Sequence, residues 1–186
     1  MRLALVAVVA ELGGARALQF SPDPALPREG LAGFELSTFG GENHLDMERV
    51  DRPNGAYDLV MASHVLEHVE DDLAALRELD RLSAPCGVVV LAVPDLLRVG
   101  ATTEYGRARA DKHGHWRVYG PDIVTRWRAA APLWRGLGVV ARDPVTGEAD
   151  RLTLLSRSSA RLEGLAVRLS TAGFAPFDAF APPRLL

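Results

Sequence analysis

The residues with the clearest capacity for chemistry lie in the run His64–His68, which reads HVLEH. The run satisfies the spacing H-x-x-E-H, in which two histidines four positions apart on one helix bind zinc while the glutamate activates a water molecule. A zinc protease of this type needs the whole motif inside a helix and a third ligand further along the chain. Here an apolar strand pattern runs directly into His64 and places that histidine on a turn. The sequence therefore disfavours the protease, and we expect no metal site.

The individual histidines leave more than one role open. His64 ends a central strand, where α/β proteins bind ligands, so a binding role and a structural role fit its position equally. His68 is typical of a structural histidine that hydrogen-bonds to backbone at the start of a helix. His113 and His115 have the spacing of a loop metal pair, but two ligands are too few for a metal site. Either one of them lines a ligand pocket or both are solvated.

The segments around these histidines alternate between strand and helix patterns. Residues 57–63 and 87–93 are near-continuous apolar runs, as expected of parallel strands that are covered on both faces. Between them, apolar residues at helical spacing predict a helix over residues 70–82, with acidic residues at its start, where the helix dipole favours anions. Further strands are predicted at residues 16–20, 34–39, 137–142 and 151–156 and, weakly, at 44–47, and further helices at residues 5–12, 121–131 and 162–169.

This alternation predicts one α/β domain with a Rossmann-like, doubly wound sheet that is mostly parallel. The last two predicted strands face each other across the turn-rich residues 143–147, which predicts an antiparallel hairpin at the edge of the sheet. The domain is expected to span residues 1–175, followed by an irregular tail over residues 176–186. Residues 95–120 lack a regular pattern and are too long for a simple connection, so they form a candidate site loop.

Two stretches of the sequence carry a family resemblance. Tyr57–Asp95, YDLVMASHVLEHVEDDLAALRELDRLSAPCGVVVLAVPD, closely resembles the fourth strand, the following helix and the fifth strand of class I S-adenosylmethionine-dependent methyltransferases. His115–Ala130, HWRVYGPDIVTRWRAA, is similar to a later segment of the same branch of that family. The resemblance extends over roughly residues 15–156. It implies methyl transfer from S-adenosylmethionine to a small-molecule acceptor, in secondary metabolism or cell-surface chemistry.

The resemblance also implies which residues form the site. The positions that border the cofactor match Phe20, Ser21, Asp23, Thr38, Asp46, Ser63 and His64. His64 and His115 are the candidates for a general base, which is needed only if the acceptor arrives protonated. The chemistry needs no metal, because holding the acceptor and the methyl group about 3 Å apart and aligned supplies much of the catalysis.

Cys86 replaces a glycine of that pattern, and two departures concern the cofactor site itself. The glycine-rich turn after the first strand, where glycine lets backbone approach a ligand closely, is replaced by FSPDP at residues 20–24. The position at which the family has an acid that hydrogen-bonds to the ribose hydroxyls is occupied here by Thr38, with Glu35 and Glu42 on either side. Loss of that charged hydrogen bond costs about 1.5–3 kcal/mol of binding. The alternative hypothesis is a diverged binding partner or cofactor-independent enzyme whose cofactor crevice is filled by side chains such as Phe20 and Phe39.

The composition of the chain limits which binding partners and which cellular location we expect. The 186 residues carry a formal net charge of −3, which offers no footprint for nucleic acid. The single cysteine excludes a disulfide framework and multi-cysteine metal sites. The N-terminal apolar run is short for a signal peptide and for a membrane span, so we expect a cytoplasmic protein without membrane contact. The last helix can dock onto the same chain or onto a neighbour, which leaves a homodimer open.

Overall fold

The computed structural model describes residues 1–94, 98–142, 147 and 149–181. Its helices and strands follow one another in a largely alternating order, with two short 3₁₀ helices at Leu66–His68 and Ala110–Lys112. The elements are α1 (Arg2–Leu12), β1 (Arg16–Phe20), β2 (Gly33–Ser37), β3 (Tyr57–Ser63), α2 (Asp72–Leu82), β4 (Ser83–Ala92), β5 (Thr103–Arg109), β6 (His115–Val118), α3 (Ile123–Ala130), β7 (Arg135–Arg142), β8 (Ala149–Ser156), α4 (Ser159–Thr171) and β9 (Phe177–Asp178).

Within the described residues, the main sheet has seven strands in the order β2-β1-β3-β4-β8-β7-β9. The first four of these in spatial order are parallel to one another. Strands β8, β7 and β9 continue the sheet in antiparallel fashion. The predicted Rossmann-like, doubly wound sheet with an antiparallel hairpin is therefore confirmed. Of the residues predicted to link that hairpin, 143–147, the first four lie outside the described part of the chain.

Helices cover both faces of this sheet, which is why its central strands are apolar on both sides. Along β3, Val60 belongs to the core beneath α2 and α3, whereas Leu59 and Met61 belong to the core beneath α1 and α4. Helix α4 packs against α1 of the same chain. No helix in the described residues is long and apolar enough to cross a membrane.

One weakly predicted strand is absent. Residues 38–56, all of them described, contain no strand, so Tyr57–Ser63 is the third strand of this chain and not the fourth. Side chains satisfy the backbone groups that a strand would pair: the Oγ of Ser37 accepts from the N–H of Leu45, and the carboxylate of Asp46 accepts from the N–H of Glu48. Residues 44–47 consequently form part of a turn-rich loop.

The predicted site loop is largely regular. Asp95 lies outside the described residues, but β5 and β6 form an antiparallel hairpin across residues 103–118. Most of this hairpin is exposed, so it lacks the apolar alternation that marks a strand in a sequence. In the C-terminal segment, Phe177 and Asp178 pair with β7, and residues 182–186 lie outside the described part.

Candidate functional site

The winding of the sheet defines where a ligand would bind. The chain adds β2 on one side of β1 and then places β3 on the other side, so the winding reverses between β1 and β3. Doubly wound sheets bind ligands at the carboxyl ends of the strands at such a reversal. Ser21 follows β1 and His64 follows β3 directly. We call the space at these two strand ends the crevice.

Both residues at the crevice have left-handed backbone conformations. Ser21 has a φ of 64° and His64 a φ of 53°. This region costs a residue other than glycine roughly 1–2 kcal/mol, and such strain clusters at functional sites. Hydrogen bonds hold both positions: the N–H of Ser21 donates to the carbonyl of Ser37 and that of His64 to Ala92, each at 2.9 Å. The chain thus makes a sharp turn after β1 without glycine.

A buried amide fixes the turn after β1. The side-chain nitrogen of Gln19 donates to the carbonyls of Ser21 and Asp23, at 2.8 and 3.1 Å. Asp23 in turn accepts from the N–H of Ala25 at 2.8 Å. The residue-by-residue resemblance pointed to Ser21 and Asp23 but missed Gln19. The available signal was an amide inside the otherwise apolar strand RALQF.

The side chains of Ser63 and Phe20 lie at the ends of the strands that form the crevice. Ser63 is buried, and its hydroxyl has no hydrogen-bond partner among the described residues. An unpaired buried hydroxyl is costly, so this oxygen is a candidate ligand contact. Phe20 is buried in the core with Leu18 and Met47. Phe39 is 91 % exposed and does not fill the crevice, contrary to the alternative hypothesis.

His64 lies between two carboxylates. Its Nε2 is 3.6 Å from Oδ2 of Asp150, and its Nδ1 is 3.9 Å from Oε1 of Glu67. The side-chain interaction with Asp150 raises the pKa of His64, and the charges of Glu67 and Asp23 act in the same direction. The same interaction with His64 lowers the pKa of Asp150. Sequence analysis missed Asp150, because β8 brings it to the crevice only through antiparallel pairing with β4.

Glu67 is the most deeply buried acid near the crevice. Its side chain is 1 % exposed, and its Oε2 has no hydrogen-bond partner in the described structure. Burial raises the pKa of Glu67 to about 7, although its backbone hydrogen bond and His64 act in the opposite direction. A carboxylate in such surroundings calls for a compensating proton or cation.

The two histidines His68 and His115 meet beside Glu67. Their rings are edge to face with centroids 4.7 Å apart. The predicted base candidates His64 and His115 are thus both neighbours of Glu67. The motif at residues 64–68 does not lie in one helix: His64 ends the turn after β3, and the 3₁₀ helix begins only at Leu66. The helical context that the zinc-protease motif requires is absent from these described residues.

The remaining predicted contacts lie beyond β2. Thr38 follows that strand, and its N–H donates to the carbonyl of Asn43. Asp46 is exposed in the loop that follows. Glu35 lies within β2 and is held by Arg52 and Tyr57, each at 2.5 Å. Glu35 is therefore committed to a structural ion pair, and the roles of Thr38 and Asp46 stay predictions.

The sequence matches the family described as a methyltransferase domain over residues 15–133, more than half of the chain. The chain belongs to this family. The resemblance to class I S-adenosylmethionine-dependent methyltransferases is thereby confirmed. The matched segment begins just before β1 and ends just after α3, so it includes both strands of the crevice. No curated protein matches the chain in sequence.

Solved methyltransferase structures share the fold at low sequence identity. An S-adenosylmethionine-dependent methyltransferase from Thermotoga maritima has a TM-score of 0.52 and 14% identity, over 83% of this chain and 88% of the other. One from Aquifex aeolicus gives 0.51 and 14%, over 83% and 91%. The 1,6-didemethyltoxoflavin-N1-methyltransferase of Burkholderia thailandensis, with its substrate and S-adenosylhomocysteine bound, gives 0.54 and 14%, over 82% and 77%.

Proposed function

We propose that this methyltransferase transfers a methyl group from S-adenosylmethionine to a small-molecule acceptor bound at the crevice between β1 and β3. The observation that carries the proposal is the pair of left-handed residues, Ser21 and His64, at the two strands where the winding reverses. Ligands of doubly wound sheets bind at this place. The protein of the same fold from Burkholderia thailandensis holds a small molecule together with S-adenosylhomocysteine, which supports the acceptor class.

The residues at the crevice fit the cofactor in charge and in hydrogen bonding. S-adenosylmethionine supplies an electrophilic methyl group on a sulfonium cation. Asp23 and Asp150 both act electrostatically on His64 and therefore give this end of the crevice negative potential, which favours a cation. The unpaired hydroxyl of Ser63 offers a hydrogen bond, and the side chain of Gln19 fixes the backbone of Ser21 by donating to its carbonyl. We assign Phe20, Thr38 and Asp46 to the border of the same site.

The protein itself aligns the reacting groups and supplies a proton acceptor. The rigid sheet fixes the ends of β1 and β3, and alignment of the reacting groups is worth several kcal/mol. Of the two predicted bases, His64 lies at the crevice and is half exposed, so we propose that it accepts the proton of the acceptor. For His115 we propose a different role below. The domain bounds of 1–175, the cytoplasmic location and a homodimer stay predictions.

Binding of S-adenosylhomocysteine to the purified chain tests the proposal by calorimetry. We expect binding by the unaltered protein and about 2- to 12-fold weaker binding by Ser63→Ala, the value of one hydrogen bond. The variant should lose no stability, because the hydroxyl it removes has no partner in the described structure. Ser170→Ala, at an exposed serine of α4, serves as the matched control. Absence of heat with about millimolar ligand would remove the proposed function.

A further inference from the structure

The side chains of Glu67, His68 and His115 converge on one point next to the crevice. Each offers a ligand atom, and these atoms all lie within 4.8 Å of one another. Glu67 and His68 belong to the 3₁₀ helix Leu66–His68, and His115 begins β6. We propose that this trio, the Glu67 cluster, binds a divalent first-row transition ion such as zinc.

The donor set selects the class of ion. Two imidazoles and one carboxylate form one of the known sets of three protein ligands for zinc, which leave the fourth position to water or another ligand. Imidazole also suits iron, copper and nickel, whereas magnesium and calcium prefer oxygen ligands throughout. A transition ion is therefore the cation that fits the Glu67 cluster.

An unpaired buried oxygen points independently to a ligand. The side chain of Glu67 is 1 % exposed, and its Oε2 has no hydrogen-bond partner in the described part of the chain. The other oxygen, Oε1, lies 3.9 Å from Nδ1 of His64. A bound cation would compensate the buried charge and satisfy the oxygen that the protein leaves unpaired.

One ring nitrogen of His68 lies beside backbone. Its Nδ1 is 3.7 Å from the position that a Cβ would occupy at Gly114. In metal sites, a hydrogen bond from the second ring nitrogen to backbone orients the ring and fixes which nitrogen is protonated. The position of Nδ1 beside Gly114 suits such a contact.

A buried arginine holds His115 against the 3₁₀ helix. Arg117, two residues further along β6, donates to the carbonyls of Val69 and Glu70 at 2.5 and 2.6 Å. These carbonyls directly follow the 3₁₀ helix that carries Glu67 and His68. The two elements of the Glu67 cluster are therefore joined by hydrogen bonds that do not involve the cluster itself.

This site differs from the H-x-x-E-H site that the sequence suggested and disfavoured. That motif would use His64 and His68 with Glu67 as a base, whereas the cluster uses Glu67 as a ligand and takes its second histidine from β6. The expectation of no metal rested on the missing helical context of that motif and on the presence of only two ligands at His113 and His115. The fold supplies the others, because β6 packs on the 3₁₀ helix.

Zinc binding to the purified full chain, stripped of metal with a chelator, tests the inference. Calorimetry should show one zinc per chain, and zinc should raise the melting temperature. Glu67→Gln, a variant of nearly the same shape, should weaken zinc binding by at least about a hundredfold, beyond the 10- to 100-fold effect of losing an outer contact. His115→Gln should do the same. The titration needs neither cofactor nor acceptor, so its result is independent of the proposed methyl transfer.

His113→Asn is the matched control. His113 lies in the same loop, with its ring 6.1 Å from that of His115, and asparagine tolerates its left-handed φ of 56°. We expect this variant to bind zinc as the unaltered chain does. The inference is overturned if the unaltered chain binds no zinc, if Glu67→Gln binds it equally well, if His113→Asn weakens binding as much as His115→Gln, or if magnesium binds as tightly as zinc.

Discussion

The buried guanidinium of Arg117 should be the main attachment of the β5–β6 hairpin to the domain. Arg117 is 4 % exposed. It donates to the carbonyls of Val69 and Glu70 and, at 3.0 Å, to the carboxylate of Glu104. We predict that Arg117→Met lowers the free energy of unfolding by about 3 kcal/mol. Methionine keeps most of the apolar stem but donates no hydrogen bond.

The magnitude follows from what the substitution leaves behind. Hydrogen bonds from a charged group contribute about 1.5–3 kcal/mol each, and removing one partner of a buried ion pair costs about 3–5 kcal/mol. The lower end applies here, because Asp72 and Glu104 both keep Arg126 as a partner. A typical domain is stable by about 5–15 kcal/mol, so the variant should still fold.

Urea denaturation of the two proteins measures this difference, with coincident transitions by two probes as the check for two-state unfolding. Arg109→Met is the matched control: Arg109 lies in the same hairpin, and its partner Asp111 is exposed. The control should show no measurable change. The zinc affinity of Arg117→Met should fall as well, because His115 loses its attachment. A loss of stability below about 1 kcal/mol in Arg117→Met would refute this account of the hairpin.

Three further predictions concern the crevice and the sheet. Ser21→Gly should raise the free energy of unfolding by about 0.5–1 kcal/mol in urea denaturation, because relief of the left-handed φ exceeds the entropic cost of glycine. A loss of stability would contradict the strain. His64→Asn should lower kcat about 10²- to 10⁴-fold in a product-release assay with an identified acceptor, while S-adenosylhomocysteine still binds. An unchanged kcat would exclude His64 as the base. Burial favours a higher pKa for Glu35, but hydrogen bonds from Arg52, Tyr57 and Asn43 lower it below the ordinary 4.5. This stabilisation is present above pH 4.5 and is lost as the pH falls through the folded-state value. Glu35→Gln should therefore flatten the decline of the urea midpoint in acid, and an unchanged slope would refute the assignment.

The parts of the fold that the sequence predicted are those decided by apolar burial. Strands β3 and β4 are covered on both faces, and their apolar runs report this directly. Helix α2 shows its buried face as Leu76, Leu79 and Leu82. The β5–β6 hairpin shows no such pattern, because charged side chains attach it: Arg117 donates to the carbonyls of Val69 and Glu70, and Arg126 of α3 engages Glu104. Contacts between charged residues far apart in sequence leave no local periodicity.

Whether the sequence located a site residue depends on whether that residue directly follows or ends a predicted strand. Ser21, Ser63 and His64 directly follow or end a strand, so placing the strands correctly also placed them. Asp150 reaches His64 only through the pairing of β8 with β4, and sequence position gives no hint of that neighbour. The ribose-binding acid has no counterpart in Glu35, because Arg52 and Tyr57 already hold that carboxylate.

The two sites inferred here share one physical requirement, which is compensation of negative charge beside the end of β3. Asp150 and Asp23 act on His64 from the open side of the crevice, and Glu67 acts on it from the buried side. The imidazole of His64 has two nitrogens: Nε2 lies near Asp150 and Nδ1 lies near Glu67. Its single positive charge, when protonated, cannot compensate three carboxylates. The open side can be satisfied by a cationic ligand, and the buried side by an ion held with His68 and His115. Because each side is compensated by its own cation, the cofactor and the metal ion do not compete for His64. The arrangement therefore predicts that zinc and S-adenosylmethionine bind together, with neither abolishing the binding of the other.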